Sequence, residues 1–131
     1  MWKFVSPRIV FGEGALNTLD DISGERALLV TDPTLVSLGV AERVSDRLKN
    51  AGLEVQRFDD IEPEPGLQTA SRGGALAREV KPDWILGLGG GSVMDVAKAV
   101  RVLYERPDLA PEDINPFIDL DLSADTHLVT V

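Results

Sequence analysis

The chain has 131 residues, of which 44% are hydrophobic and 27% charged, enough for one compact domain and too few for two. Its formal net charge of -9, without a dense basic cluster, argues against a nucleic-acid partner. The absence of cysteine excludes disulfides, thiolate metal ligands and sulfur nucleophiles.

The N-terminal segment alternates apolar and polar side chains through residues 2–5 and again through residues 8–11, which predicts two short strands or a hairpin. This segment lacks the long apolar stretch of a secretory signal. No run elsewhere approaches the roughly 20 apolar residues of a membrane-spanning helix. We therefore expect a cytoplasmic protein with no membrane partner.

From residue 15 onward, predicted helices alternate with predicted strands. Apolar or alternating runs predict strands, and apolar positions at helical spacing predict helices between them. An α/β fold follows, with a doubly wound, mainly parallel, Rossmann-like sheet in a single domain over residues 1–131. The last predicted strand is apolar and reaches the final residue, so we expect the natural chain to continue. The predicted strands cover 26–31, 53–58, 83–88 and 127–131, and the predicted helices cover 15–20, 40–50, 67–80 and 93–104.

The strongest local signal is a glycine-rich turn between the third predicted strand and the helix after it, made by Gly89, Gly90 and Gly91 and followed by Ser92. Glycines let backbone approach a ligand closely, and the first N–H groups of a helix are free to bind phosphate. A plain tight turn would need only one glycine, so the run favours phosphate binding. Ser92 and Asp95 also have a structural explanation, as a cap and its partner at the helix start.

Asp32 follows the first buried strand, at the edge where open α/β sheets bind ligands. Its carboxylate could accept a hydrogen bond from a ribose hydroxyl, and it would then repel a 2'-phosphate and favour NAD over NADP. An equally good interpretation is a plain turn in which Asp32 caps nearby N–H groups.

The other polar candidates have simpler structural interpretations. Lys98 stands three residues after Asp95, which predicts a local ion pair. His127 is the only histidine, so a metal site built on several histidines is excluded within this chain. The carboxylates of Asp119, Asp121 and Asp125 predict a solvated acidic loop, and Trp2, Phe58 and Trp84 are predicted core residues.

The pattern resembles the iron-containing, or group III, alcohol dehydrogenases and their N-terminal, dehydroquinate-synthase-like nucleotide-binding domain. The matching pieces are Phe11-Gly12-Glu13-Gly14, Ala27-Leu28-Leu29-Val30-Thr31-Asp32, the proline-rich loop after Phe58-Asp59, and the run from Gly89 to Ala99. Two departures stand out. Valine follows Ser92 where the family usually has proline, and the family's Pro-Asn-Pro-Thr loop reads Pro63-Glu64-Pro65-Gly66 here, without the amide.

The resemblance implies that the glycine turn with Ser92 holds the cofactor pyrophosphate and that Asp32 contacts the adenosine ribose. We therefore expect cofactor contacts at Asp32, Gly89, Gly90, Gly91, Ser92 and Asp95, and we assign no catalytic or metal-binding residue. The implied cofactor is NAD, with NADP as the alternative. The implied reaction is hydride transfer between the nicotinamide and an alcohol or carbonyl.

The family carries a second, helical domain that supplies an aspartate and histidines for Fe²⁺ or Zn²⁺, and no such region occurs in these residues. We therefore expect this chain alone to be inactive, with the metal bound only in a full-length protein. Homo-oligomer formation is compatible with the sequence. Two alternatives stay open, an enzyme similar to glycerol-1-phosphate dehydrogenase or dehydroquinate synthase, and a stand-alone nucleotide-binding module.

Overall fold

A parallel sheet of four strands, with helices on both faces, forms the centre of the structure. The computed structural model describes residues 6–115 and 117–131. All neighbouring strands pair in parallel, and their order across the sheet is β2-β1-β3-β4. This confirms the predicted doubly wound α/β fold. The strands are β1 Arg26–Thr31, β2 Glu54–Phe58, β3 Trp84–Leu88 and β4 His127–Thr130.

The helices follow the predicted order and mostly the predicted bounds. Those predicted over residues 40–50 and 67–80 are confirmed at both ends, and the short one near residue 15 is a 3₁₀ helix. Within the described ranges, no helix is long and apolar enough to cross a lipid bilayer. The helices are α1 Pro33–Ser37, α2 Val40–Asn50, α3 Leu67–Val80 and α4 Gly91–Glu105, with 3₁₀ helices at Ala15–Asp21 and Pro111–Asp113.

The predicted N-terminal hairpin is wrong where it can be judged. Residues 8–11 form no strand, and the side chains of Ile9, Val10 and Phe11 are exposed. Alternating side chains suit a strand, but a strand also needs a partner to accept its backbone hydrogen bonds, and this segment pairs with no strand in the sheet. The predicted strand over residues 2–5 lies outside the described residues.

The core consists of two clusters, one on each face of the sheet. Alternate residues of β1 enter opposite clusters, Ala27 and Leu29 on the α2 side and Leu28 and Val30 on the side of α3 and α4. All four are fully buried, which explains why β1 is apolar throughout rather than alternating. Phe58 is buried as predicted, Trp84 is half-buried, and Trp2 lies outside the described residues.

Small residues bring α4 close to its neighbours. A Cβ on Gly73 of α3 would lie 2.4 Å from Val100 Cγ2 of α4, so no side chain fits between these two helices there. A Cβ on Gly87 of β3 would lie 2.8 Å from Ala97 Cβ of the same helix. Helix α4 is therefore held against β3, and its first turn directly follows the end of that strand.

Candidate cofactor site

The carboxyl ends of β1 and β3 form the point where the chain changes direction across the sheet. From β1 the chain crosses to β2 on one side, and from β3 it crosses to β4 on the other. Thr31 and Leu88 are paired at this point, and the buried Thr31 hydroxyl donates to Leu88 O over 2.9 Å. Asp32 and Gly89, the next residues of the two segments, therefore leave the sheet side by side. Ligands of open α/β sheets bind in the crevice at such a point.

Only one of the three glycines of the turn is required by the local structure. Gly89 has φ of +153°, and a Cβ there would lie 2.9 Å from Val93 side-chain atoms, so both conformation and space require glycine. Gly90 has an ordinary φ of -72°. Apart from the neighbouring residues and the backbone of α4 itself, a Cβ on Gly90 or Gly91 would meet no atom of the described chain within 4 Å. Nothing in the described chain therefore explains these two glycines, and the space in front of them is open to a ligand.

Free backbone N–H groups face this open space. The first hydrogen bond of α4 runs from Met94 N–H to Gly90 O, at 3.0 Å. The N–H groups of Gly91, Ser92 and Val93 precede it and have no backbone acceptor among the described residues. The aligned peptides of this 15-residue helix add a partial positive charge at the same end. Open space, free donors and positive potential together suit a phosphate group.

The capping role predicted for Ser92 and Asp95 is wrong. Helix α4 begins two residues earlier than predicted, Gly90 is its N-cap, and no side chain caps it. Ser92 instead occupies the second helical position, exposed beside the free N–H groups. The predicted ion pair is confirmed, because Lys98 Nζ lies 3.3 Å from Asp95 Oδ1. The Asp95 side chain is 76% exposed.

Asp32 caps a nearby N–H group, as one of its two interpretations predicted, but the capped segment is the short helix α1 rather than a plain turn. Its Oδ1 accepts a hydrogen bond from Leu35 N–H over 2.9 Å, and its backbone is extended. A carboxylate has two oxygens that accept hydrogen bonds, and this cap involves only one of them. The cap therefore fixes the side chain without preventing a contact with a ribose hydroxyl.

The loop between β2 and α3 contains a cluster that the sequence did not reveal. The buried Thr69 hydroxyl donates to Glu62 Oε1, and Arg72 Nη2 lies 3.6 Å from Glu62 Oε2. Arg72 Nη2 also donates to Asp60 O over 3.2 Å. The Thr69 hydroxyl, followed by N–H groups of Glu62 and Gly66, holds the pKa of the Glu62 carboxyl below its ordinary value. Because these partners lie up to 12 residues apart, no local pattern marks them.

A separate surface depression lies between α2 and the first 3₁₀ helix. It has a volume of about 530 Å³ and is lined by Arg43, Arg47, Asp20, Asp46 and neighbouring residues. Arg47 is already paired with Asp20, at 2.7 Å. This depression mixes both charges and shares no residue with the crevice, whereas the crevice combines free donors with a topological switch point. We therefore place the candidate site at the crevice.

The residues present do not fit a metal ion. Within residues 6–115 and 117–131, no group of three histidine, cysteine, aspartate or glutamate residues is placed to hold one. The only histidine, His127, lies at the opposite end of the sheet, with its ring centroid 4.4 Å from that of Trp84. The predicted acidic loop, with Asp119, Asp121 and Asp125, is exposed.

Comparison with known proteins identifies relatives of this fold and turn. The sequence model of one family, iron-containing alcohol dehydrogenase, matches residues 6–131. An NADPH-dependent butanol dehydrogenase of Clostridium saccharobutylicum is 39% identical over 89% of this chain and 31% of its own length. A lactaldehyde reductase of Escherichia coli is 35% identical over 76% of this chain and 27% of its own.

A solved iron-containing alcohol dehydrogenase of Thermococcus thioreducens superposes with a TM-score of 0.81 at 29% identity. The superposition covers 97% of this chain and 35% of that one, so the chain spans about a third of the relative's length. The fold is that of the N-terminal part of such enzymes. The chain belongs to the iron-containing alcohol dehydrogenase family.

Proposed function

We propose that this chain is the dinucleotide-binding part of a metal-dependent oxidoreductase that transfers hydride between a nicotinamide cofactor and an alcohol or carbonyl. The pyrophosphate would lie against Gly90, Gly91 and Ser92 at the start of α4. Asp32, beside the turn, would accept a hydrogen bond from a hydroxyl of the adenosine ribose. Gly89 would shape the turn, and Asp95, one helical turn further on and paired with Lys98, would lie at the edge of the cofactor site.

The observation that carries this proposal is the open space in front of Gly90 and Gly91. Glycine loses more conformational freedom on folding than any other residue, so two glycines without a local reason call for another explanation. Close approach of a phosphate to three free N–H groups supplies it. The family match supports the same interpretation and favours the alcohol dehydrogenase branch over the sugar-phosphate enzymes.

Catalysis would require residues beyond those of this chain. In the complete enzyme, a divalent metal would polarise the substrate oxygen while the nicotinamide supplies or accepts hydride. The described residues offer no set of ligands for that metal, so we assign it to another part of a longer protein. Inactivity of the isolated chain and its cytoplasmic location stay predictions.

We propose NAD rather than NADP as the cofactor, because the Asp32 carboxylate would repel a 2'-phosphate. The butanol dehydrogenase relative is NADPH-dependent by name, so family membership alone does not decide this preference. The effect of the Asp32 charge on cofactor preference can be separated from the capping role of the same side chain. Asparagine caps helices about as well as aspartate but carries no charge.

Titration with NADH and NADPH, followed by cofactor fluorescence, tests both parts of the proposal. We expect the wild-type chain to bind NADH weakly, up to millimolar concentrations, and to bind NADPH more weakly. Asp32→Asn should reduce the ratio of the Kd for NADPH to the Kd for NADH about tenfold, since one repulsive charge contact is removed. The matched control is Asp32→Ala, which also removes the cap and should destabilise the chain by about 1 kcal/mol.

Three results would count against the proposal. Absence of any NADH signal at millimolar concentration, in a folded sample, would contradict the cofactor site. An unchanged preference in Asp32→Asn would contradict the role of this carboxylate. Turnover of an alcohol by this chain alone would contradict the placement of the metal outside it.

A further inference from the structure

Side chains of α3 hold the loop over residues 59–66 against that helix. Glu62 in the middle of the loop receives the hydrogen bond of Thr69 and the charge of Arg72, both on α3. Arg72 also binds the backbone of Asp60, near the start of the loop. We call Glu62, Thr69 and Arg72 the clasp. It joins the start and middle of the loop to the first two turns of α3.

The Thr69 side chain of the clasp is held in one position. Thr69 is fully buried, so its hydroxyl has few positions available, and its N–H donates to Gly66 O over 3.1 Å at the end of the loop. The Glu62 carboxylate in turn pairs with both Thr69 and Arg72 of α3. One carboxylate thus connects the middle of the loop to two positions of the helix behind it.

The loop lies at the same edge of the sheet as the cofactor crevice. In the strand order β2-β1-β3, the loop after β2 comes next to Asp32 after β1, on the side away from the glycine turn. Ile61 of the loop is buried in the same cluster as Val93 of the first turn of α4. The loop and the turn that precedes Val93 therefore rest on the same core cluster.

We propose that Glu62 is a positioning residue for cofactor binding, which through Thr69 and Arg72 holds the β2–α3 loop as a wall of the crevice. This inference rests on the proposed function. A dinucleotide with its pyrophosphate at the glycine turn and a ribose at Asp32 extends next toward this loop. A loop held in place before binding loses less conformational entropy when the cofactor arrives.

A pair of variants isolates the clasp from a general loss of negative charge. Glu62→Gln and Glu54→Gln each remove one negative charge, but Glu54 is exposed at the start of β2, and no ion pair or side-chain hydrogen bond within the described residues involves it. We expect Glu62→Gln to raise the Kd for NADH about threefold to tenfold, because the hydrogen bond and ion pair lose their charged partner. Glu54→Gln, at the end of the sheet away from the crevice, should leave the Kd within about twofold of wild type.

Substitutions of the threonine test the same contact from the other side. Thr69→Val keeps the shape of the side chain and removes the donor, so it should raise the Kd as Glu62→Gln does. Thr69→Ser keeps the donor and should restore affinity close to that of wild type. Hydrogen exchange of residues 59–66 without cofactor gives a second readout, and the two weakened variants should exchange faster there.

The outcomes separate this inference from the proposed function. If wild-type protein does not bind NADH, the proposed function fails and the inference fails with it. If wild type binds while Glu62→Gln and Thr69→Val bind equally well, the clasp has no positioning role and the proposed function stands. Weaker binding that follows only a general loss of stability, with no change confined to residues 59–66, would also overturn the inference.

Discussion

The two ends of the sheet differ in how their polar groups are satisfied. At the amino end, Asp83 accepts hydrogen bonds from the N–H groups of Arg26 and Glu25, and Trp84 Nε1 donates to Ser23 O over 2.9 Å. At the carboxyl end, the first N–H groups of α4 have no backbone acceptor within residues 6–115 and 117–131, and Gly90 and Gly91 face open space there. Side chains thus close one end of the sheet, while exposed backbone defines the other.

This difference indicates which end serves stability and which serves binding. A polar group that already has its partner contributes to folding and offers little to a ligand. A donor left free at a helix start gains a partner only when a ligand arrives. Substitutions at the amino end should therefore change the free energy of unfolding, and substitutions at the glycine turn should change cofactor affinity.

The largest effect on stability is expected from Asp83→Ala at the amino end. The substitution leaves two N–H groups without their carboxylate, and we expect the free energy of unfolding at pH 7 to fall by about 1–2 kcal/mol, because both groups are partly exposed. Urea denaturation measures this change. Asp20→Ala, which breaks the exposed pair with Arg47, is the control and should cost at most about 1 kcal/mol.

The contribution of Asp83 should also depend on pH. Hydrogen bonds from the N–H groups of Arg26 and Glu25 hold the pKa of Asp83 below its ordinary value. Its stabilising effect is complete above the unfolded-state pKa of about 3.9 and is lost as the pH falls through the lower folded-state pKa. Asp83→Asn should therefore lose less stability than wild type on acidification below about pH 4. Parallel losses in both proteins would contradict this assignment.

A smaller change, a gain in stability, is expected from Glu64→Gly in the loop beside the crevice. Glu64 has φ of +55°, a left-handed conformation that costs a residue with a Cβ about 1–2 kcal/mol. Glu64→Gly removes that strain but increases the freedom of the unfolded chain, so we expect a net gain of about 0.5 kcal/mol. Glu54→Gly, at an exposed position of β2, should instead destabilise the protein. A loss of stability in Glu64→Gly would contradict the strain argument.

Local patterns were enough to predict most of the fold. The apolar run of β1 and the helical spacing in α2 and α3 are properties of neighbouring residues, and the structure confirms them. The segment over residues 8–11 was mispredicted because alternation describes a local preference, while a strand depends on a partner. The sequence predicts the start of α4 two residues too late, because Ser92 is a typical side-chain cap, whereas this helix begins at Gly91 with Gly90 as an N-cap that has no side chain.

The candidate site was predictable only where local sequence patterns mark it. The glycine run and Asp32 are visible as short motifs beside predicted strands. The clasp was not, because Glu62 and Thr69 meet only through the path of the intervening loop. Nor could the sequence distinguish Gly89 from its neighbours, since the conformation of Gly89 and the open space at Gly90 and Gly91 depend on where Val93 packs.

The most direct test of the binding end is residue-resolved NMR of the chain titrated with NADH, in wild type and in Gly91→Ala. A Cβ at Gly91 would meet no atom of the described chain beyond its neighbours and the backbone of α4. The free energy of unfolding of Gly91→Ala should therefore differ from that of wild type by less than about 0.5 kcal/mol. We expect amide shifts at residues 89–93 and at Asp32 in wild type, and an affinity for NADH at least about tenfold lower in the variant. Equal affinity in both proteins, or shifts confined to the depression around Arg43 and Arg47, would contradict a cofactor site at the glycine turn.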